Sequence, residues 1–328
     1  MAEAAALRVA VVGCGAIAQS WLGALAATPG VRLCGIVESD GARRAELAAQ
    51  LPVPVVAELP GLAAVAPQAA IVCTPPATHP ALAAQLLAAG LHVLCEKPLA
   101  TDLAQARALL ATARAAGRVL MLSAKFRYGR DARAARPLVQ SGQLGAIQEA
   151  EIVFTGRVDM SRRWNADPAR SGGGVVMDNG PHAADLCRFL LGPIARVQAR
   201  FLRPVQPIPV EDSARVMFMT DAEVPCLVTL SWSVHRDVPW FAALRGSAGA
   251  LELGWKQSRW RASEAAPWQT LGAGYDKAAA FAAQLQDFAA ACGGATPHID
   301  ADDALATVQV VAAAYRSART GEWCEVTA

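Results

Sequence analysis

The segment Ser171–Asp185, SGGGVVMDNGPHAAD, sets three consecutive glycines ahead of Asp178, His182 and Asp185. A histidine that titrates near neutrality, flanked by carboxylates, can move a proton at a substrate hydroxyl. Pro181 suits the first turn of a helix. His182 and Asp185 are then expected one turn apart on one face, with Asp178 just before the helix on a glycine-flexed approach. The same residues also spell a capped helix start, in which Asp178 or Asn179 satisfies main-chain N–H groups and His182 is merely buried. The segment alone leaves both readings open. A second polar group stands in Glu96-Lys97-Pro98. Its ammonium is either a surface cation paired with Glu96 or a charge presented to a ligand at the end of a strand.

The elements that must position these groups fall into two textures. Over the first 120 residues, β-rich runs (LRVAVV, VRLCGIV, Val53–Val56, AAIVC, HVLC, VLMLS) alternate with Ala/Leu-rich helical runs that stop at Pro29-Gly30, Gly90 and Gly117. Repeated β-α-β of this kind predicts a parallel sheet with helices on both faces. Gly13-Cys14-Gly15-Ala16-Ile17-Ala18 fits G-x-G-x-x-A between the first strand and the first helix. There the first glycine allows a tight turn, the second lets the backbone approach a pyrophosphate, and the small last residue lets helix and strand pack closely. Glu38 closes the second strand, where a carboxylate hydrogen-bonds ribose hydroxyls and repels a 2′-phosphate. NAD is thus expected over NADP, with Arg43 and Arg44 close enough in sequence to accommodate the phosphate instead. The stretches CTPPATHP and CEKPL follow strands, at the sheet end where open α/β folds bind ligands.

After about residue 125 the runs lengthen and alternate, as in GAIQEAEIVFTGRV, SARVMFMT and VPCLVTLSWSV, and seven of the eight tryptophans lie beyond residue 163. These read as strands of a largely antiparallel sheet. Helices are expected at HAADLCRFLLG and near Lys277–Cys292 and Ala301–Thr320. The chain is 328 residues long, 54% hydrophobic and 18% charged, enough for two cores and too apolar for disorder. A formal charge of +2 without basic blocks gives no electrostatic reason to expect nucleic acid or an anionic membrane. Eight cysteines without a CxxC pair read as buried thiols of a reducing compartment, and the acid in the N-terminal stretch argues against a signal peptide. A cytoplasmic protein is the expectation.

Taken in order, the G-x-G-x-x-A motif, Thr74-Pro75-Pro76 with His79, Glu96-Lys97-Pro98, and Gly172-Gly173-Gly174 followed by Asp178, Gly180, His182 and Asp185 resemble the Gfo/Idh/MocA oxidoreductases over nearly the whole chain. The resemblance implies an α/β protein with an N-terminal Rossmann domain (1–124) and a C-terminal α+β domain (125–328). The latter's large, mostly antiparallel open sheet would make homodimer or homotetramer contacts. It implies NAD(P)-dependent oxidation or reduction of a sugar, cyclitol or related polyol, with no metal. Lys97, Asp178 and His182 would be the catalytic trio: His182 takes the hydroxyl proton, Lys97 stabilises the developing alkoxide, and Asp178 orients the pair. Cofactor contacts would come from Gly13, Gly15, Ala16, Ile17, Glu38, Arg43, Thr74, Pro75, His79, Glu96 and Lys97. Phe126, Arg127 and Trp164 would join the trio at the substrate. An NAD-dependent glycosidase with transient substrate oxidation and a non-catalytic dinucleotide or sugar sensor are the alternatives.

Overall fold

A computed structural model describes residues 6–327, which form two compact units. The first carries β1 (Leu7–Val12), α1 (Ala16–Ala27), β2 (Val31–Val37), α2 (Gly41–Gln50), β3 (Val55–Val56), β4 (Ala69–Val72), α3 (His79–Ala88), β5 (His92–Cys95), α4 (Leu103–Ala116) and β6 (Leu120–Leu122). All pairings are parallel, in the order β3-β2-β1-β4-β5-β6. β1 and β4 are unbroken apolar runs and are buried from Val9 to Val12 and from Ala69 to Val72, as a sheet covered on both faces requires. The strand order reverses between β1 and β4. In such folds ligands bind beyond the carboxyl ends of the strands at this reversal.

The second unit contains α5 (Arg130–Gln140), β7 (Ile147–Thr155), α6 (Pro168–Ser171), α7 (Val175–Leu191), β8 (Ile194–Phe201), β9 (Ser213–Thr220), β10 (Pro225–Ser231), β11 (Trp240–Gly246), β12 (Ala250–Gly254), β13 (Ser258–Arg261) and β14 (Gln269–Gly272). The chain ends with α8 (Lys277–Cys292), α9 (Ala301–Thr320) and β15 (Cys324–Glu325). Nine strands pair in the order β14-β13-β12-β11-β7-β10-β9-β8-β15, antiparallel except between β7 and β10. α7 packs on β8, β9 and β10, against buried residues such as Val216 and Val228. The sheet face opposite α7 bears ion pairs: Glu252 accepts from Arg245 at 2.8 Å and Arg259 at 2.7 Å, and Arg236 lies 3.4 Å from Glu151. A buried apolar cluster of Val153, Trp240 and Ala243 lies there as well, and strand alternation puts Met217, Met219 and Leu227 on the same face.

Three features differ from the sequence expectation. α5, β13, β14 and β15 are additional elements; α5 contains Pro137 and fully buries only Asp131, Ala132 and Ala135. Residues 278–305 group with the first unit although they follow the expected division at 125. The reason is packing: the Phe281 ring meets Trp21 edge-on at 4.5 Å, and the fully buried Gln284 donates to the Leu122 carbonyl at 2.7 Å. Finally, α7 begins at Val175, so Pro181 lies inside it and Asp178 occupies its first turn, not an approach to it.

Candidate active site

At the carboxyl end of β1, Gly13 has φ +81° and a Cβ there would lie 2.6 Å from Thr74 Cγ2, so only glycine fits. Gly15 is different. It is the N-cap of α1 with φ −68°, and nothing lies within 4 Å of where its Cβ would project. The exposed Gly15 and Ala16, with Ile17, form a helix start that has no side-chain cap and no acidic residue. Its N–H groups are the anion-binding kind. Glu38 sits beside this turn: Oε2 accepts from Cys14 N at 3.0 Å and Oε1 from Asp40 N at 3.0 Å. Arg43 Nε donates to the Cys14 carbonyl and Arg44 Nη1 to the Glu38 carbonyl, so both guanidinium groups are folded onto main chain. Burial, reinforced by the Glu38 charge, pushes the Cys14 thiol up to about 11 and keeps it protonated.

The loops after β4 and β5 are tied together by His79. Its Nδ1 is 2.8 Å from the Pro98 carbonyl and its Nε2 2.7 Å from the Thr74 carbonyl, with 0% of the residue exposed. Burial lowers its pKa, against the opposing pull of the two carbonyls and Glu96. His79 was expected at the cofactor. Its burial makes it a brace between the two loops instead. Glu96 is corrected in the same way: it is buried, with Oε1 accepting from Trp21 Nε1 and Ser123 Oγ, both at 2.8 Å, and Oε2 from Lys97 N at 3.3 Å. The apolar core of the unit leaves no room for an unpaired carboxylate, so Glu96 fixes α1 and β6 around β5. Thr74, Pro75 and Lys97 remain half-buried on these loops.

In the second unit, the start of α7 is built by a residue distant in sequence. The Glu211 carboxylate accepts from Gly174 N and Val176 N at 3.1 Å and from the Tyr315 hydroxyl at 2.6 Å, while the Glu211 carbonyl accepts from Val175 N at 2.9 Å. A Cβ on Gly174 would lie 2.0 Å from that carbonyl oxygen, so the glycine is what lets the two segments meet. Burial raises the Glu211 pKa, and it raises that of Tyr315 with the help of the Glu211 charge. From this start, Asp178, His182 and Asp185 follow at helical spacing along one face; Asp178 is half-buried and the other two are buried.

The His182 ring lies in an aromatic nest, 5.3 Å edge-on from Phe126 and 6.5 Å from Phe154. Asp185 holds Arg127 through contacts of 2.5 Å at Nη2 and 3.2 Å at Nε. Arg127 was expected to grip substrate. Only 5% of it is exposed, and its fork is directed at Asp185, so its role is to fix α7. Phe126 is likewise buried as the floor beneath His182, whereas Trp164 is 37% exposed on a short 3-10 turn, Trp164–Ala166. Glu211, Tyr315, Trp255 and Tyr275 were not anticipated. The signal for Trp255 was available: an indole directly after the strand-ending Gly254.

Residues 7–124 match the model of an oxidoreductase family with an NAD-binding Rossmann fold, GFO_IDH_MocA, and residues 132–252 match the C-terminal domain of the same group. The chain belongs to the Gfo/Idh/MocA family. Among similar family proteins, D-apiose dehydrogenase of Paraburkholderia graminis is 27% identical over 78% of this chain and 72% of its own. The 1,5-anhydro-D-fructose reductase of Ensifer adhaerens is 33% identical over 56% of each. The structure of GenD2 from gentamicin A biosynthesis in complex with NAD superposes with a TM-score of 0.87 at 28% identity, covering 100% of this chain and 98% of that one.

As a Gfo/Idh/MocA oxidoreductase the chain needs a dinucleotide, and its first unit fits one. The space in front of Gly15 is a cradle that a side chain would fill, the start of α1 offers N–H groups with no side-chain cap, and the Glu38 carboxylate is held beside the glycine turn. Among the described residues no helix is long and apolar enough to cross a membrane.

Proposed function

We propose that this chain is an NAD-dependent dehydrogenase or reductase acting on a secondary alcohol of a sugar, cyclitol or related polyol, with His182, Lys97 and Asp178 as its catalytic residues. The observation that carries the proposal is the placement of His182 and Asp178 four residues apart on α7, a helix whose start is fixed by Glu211 and whose face is fixed by Arg127 and Asp185. Bound NAD supplies the hydride acceptor. His182 accepts the hydroxyl proton, and the nest of Phe126 and Phe154 excludes water from the imidazole. Asp178 orients the histidine, one turn away. Lys97, on the loop after β5, stabilises negative charge at the reacting oxygen. Gly13, Gly15, Ala16, Ile17, Glu38, Thr74 and Pro75 hold the dinucleotide. The names of the relatives, dehydrogenases or reductases of apiose and anhydrofructose, support a sugar-type substrate.

The same reading includes a cytoplasmic homodimer or homotetramer, supported by eight unpaired cysteines and by the nine-stranded sheet. The test is a panel of aldoses, cyclitols and sugar acids with purified protein and NAD, following absorbance of the reduced cofactor. Accumulation with at least one sugar is expected. Cleavage of a chromogenic glycoside without reduced cofactor would move the chain to the glycosidase reading, and binding without either would make it a sensor.

A further inference from the structure

We infer that Trp255, backed by Tyr275, is a stacking platform for the C–H face of a pyranose ring, which makes a cyclic sugar the substrate class rather than an acyclic polyol or hydroxy acid. The inference rests on His182 being the proton acceptor and adds two residues to that site.

Trp255 follows β12 directly and is 44% exposed, yet its ring is held from several sides. Its centroid lies 5.0 Å from Phe241, 6.0 Å from Phe126, 6.1 Å from Tyr275 and 6.4 Å from Phe154. Phe126 is the same ring that meets His182 edge-on at 5.3 Å. One buried phenyl group thus connects the exposed indole to the imidazole. Tyr275 stands at 84° to Trp255, a wall beside a floor. The loops carrying both are fixed by main chain: Trp255 N donates to the Pro239 carbonyl at 3.2 Å and Tyr275 N to the Gly254 carbonyl at 3.1 Å. Gly274 has φ +91°, and a Cβ there would lie 2.6 Å from the Lys256 carbonyl carbon, so a larger residue could not bring the two loops this close.

An indole left 44% exposed but immobilised by its neighbours forgoes part of its hydrophobic burial and is preorganised for a ligand. Its π face is electron-rich and attracts polarised C–H groups. A pyranose with equatorial hydroxyls presents such groups together on one face. An acyclic polyol must be ordered into that shape and is bound more weakly.

The test uses the NAD-loaded enzyme with methyl β-D-glucopyranoside as probe and D-glucitol as the acyclic control, followed by calorimetry and saturation-transfer NMR. The glucoside is expected to bind about tenfold or more tighter than glucitol, with saturation strongest on the axial protons of one ring face. Trp255→Leu, which keeps apolar packing but has no π face, should lose about tenfold in glucoside affinity, while Trp255→Phe recovers most of it and NAD affinity is unchanged. Wild-type protein that ignores the glucoside or binds glucitol equally well overturns the inference. So does Trp255→Leu protein that binds the glucoside like wild type. Failure of the dehydrogenase reading is seen separately: glucoside binding that depends on Trp255, in a protein that reduces NAD with no sugar, keeps the platform and removes the catalytic assignment.

Discussion

Arg127 and Asp185 form a buried two-point ion pair, with contacts of 2.5 and 3.2 Å, one helical turn beyond His182. Removing one partner strands the other charge away from water. Arg127→Met should therefore destabilise the second unit by about 3–5 kcal/mol, and turnover should fall more than cofactor affinity. Urea unfolding and NAD titration check this. A variant as stable as the parent would show that the pair contributes nothing to holding α7.

The two glycines of the first motif should separate cleanly. Gly13→Ala forces a side chain into φ +81° against Thr74, with an expected cost of about 1–3 kcal/mol. Gly15→Ala meets no protein atom within 4 Å, so its melting temperature should stay at the parent value while NAD affinity drops by about tenfold or more. Thermal melts with NAD calorimetry decide it. Equal NAD affinity in Gly15→Ala would put the pyrophosphate elsewhere.

Glu38, proposed above as a dinucleotide-binding residue, also holds the glycine turn through Cys14 N and Asp40 N. Glu38→Gln should lower kcat/KM with NAD and narrow its advantage over NADP. If the unmodified enzyme already prefers NADP, the role given to Glu38 is wrong.

His182→Ala should reduce turnover by about a hundredfold or more while NAD binding stays near the parent value, since the nucleotide contacts are assigned to the first unit. Stopped-flow reduction of NAD alongside NAD titration tests it. A fall of only a few-fold in a folded variant would make the histidine structural.

Glu211 gives a pH signature. Burial raises its folded pKa above the ordinary 4.5, so its protonated form is favoured in the native state relative to the unfolded chain. The associated stability is fully present below pH 4.5 and is lost as pH rises through the higher folded value. The stability of wild type minus that of Glu211→Gln should accordingly decline from pH 4 toward neutrality, read by urea midpoints at each pH. A difference that grows with pH would reverse the assigned sign.

Local chemistry determined a large part of this protein. Glycine turns, strand-length apolar runs and helix stops act over a few residues, so β1, α1, β2 and α2 were legible, as was the position of Glu38 at the end of β2. The second sheet was legible as a texture, through alternation, but the four-residue strands β13, with its two arginines, and β14 were not. Partner choice was decided by the tertiary structure. α7 starts at Val175 because a carboxylate from Glu211 reaches its first N–H groups, and no signal near Pro181 encodes that. Arg127, His79 and Glu96 look like ligand-binding residues in the sequence, yet each is buried against a partner in its own unit. The physical reason is that propensity and capping are short-range, whereas the cost of burying a polar group is settled only when distant segments bring its partner. Trp255 shows the converse, an apolar side chain left in water and held there by four rings from across the second unit.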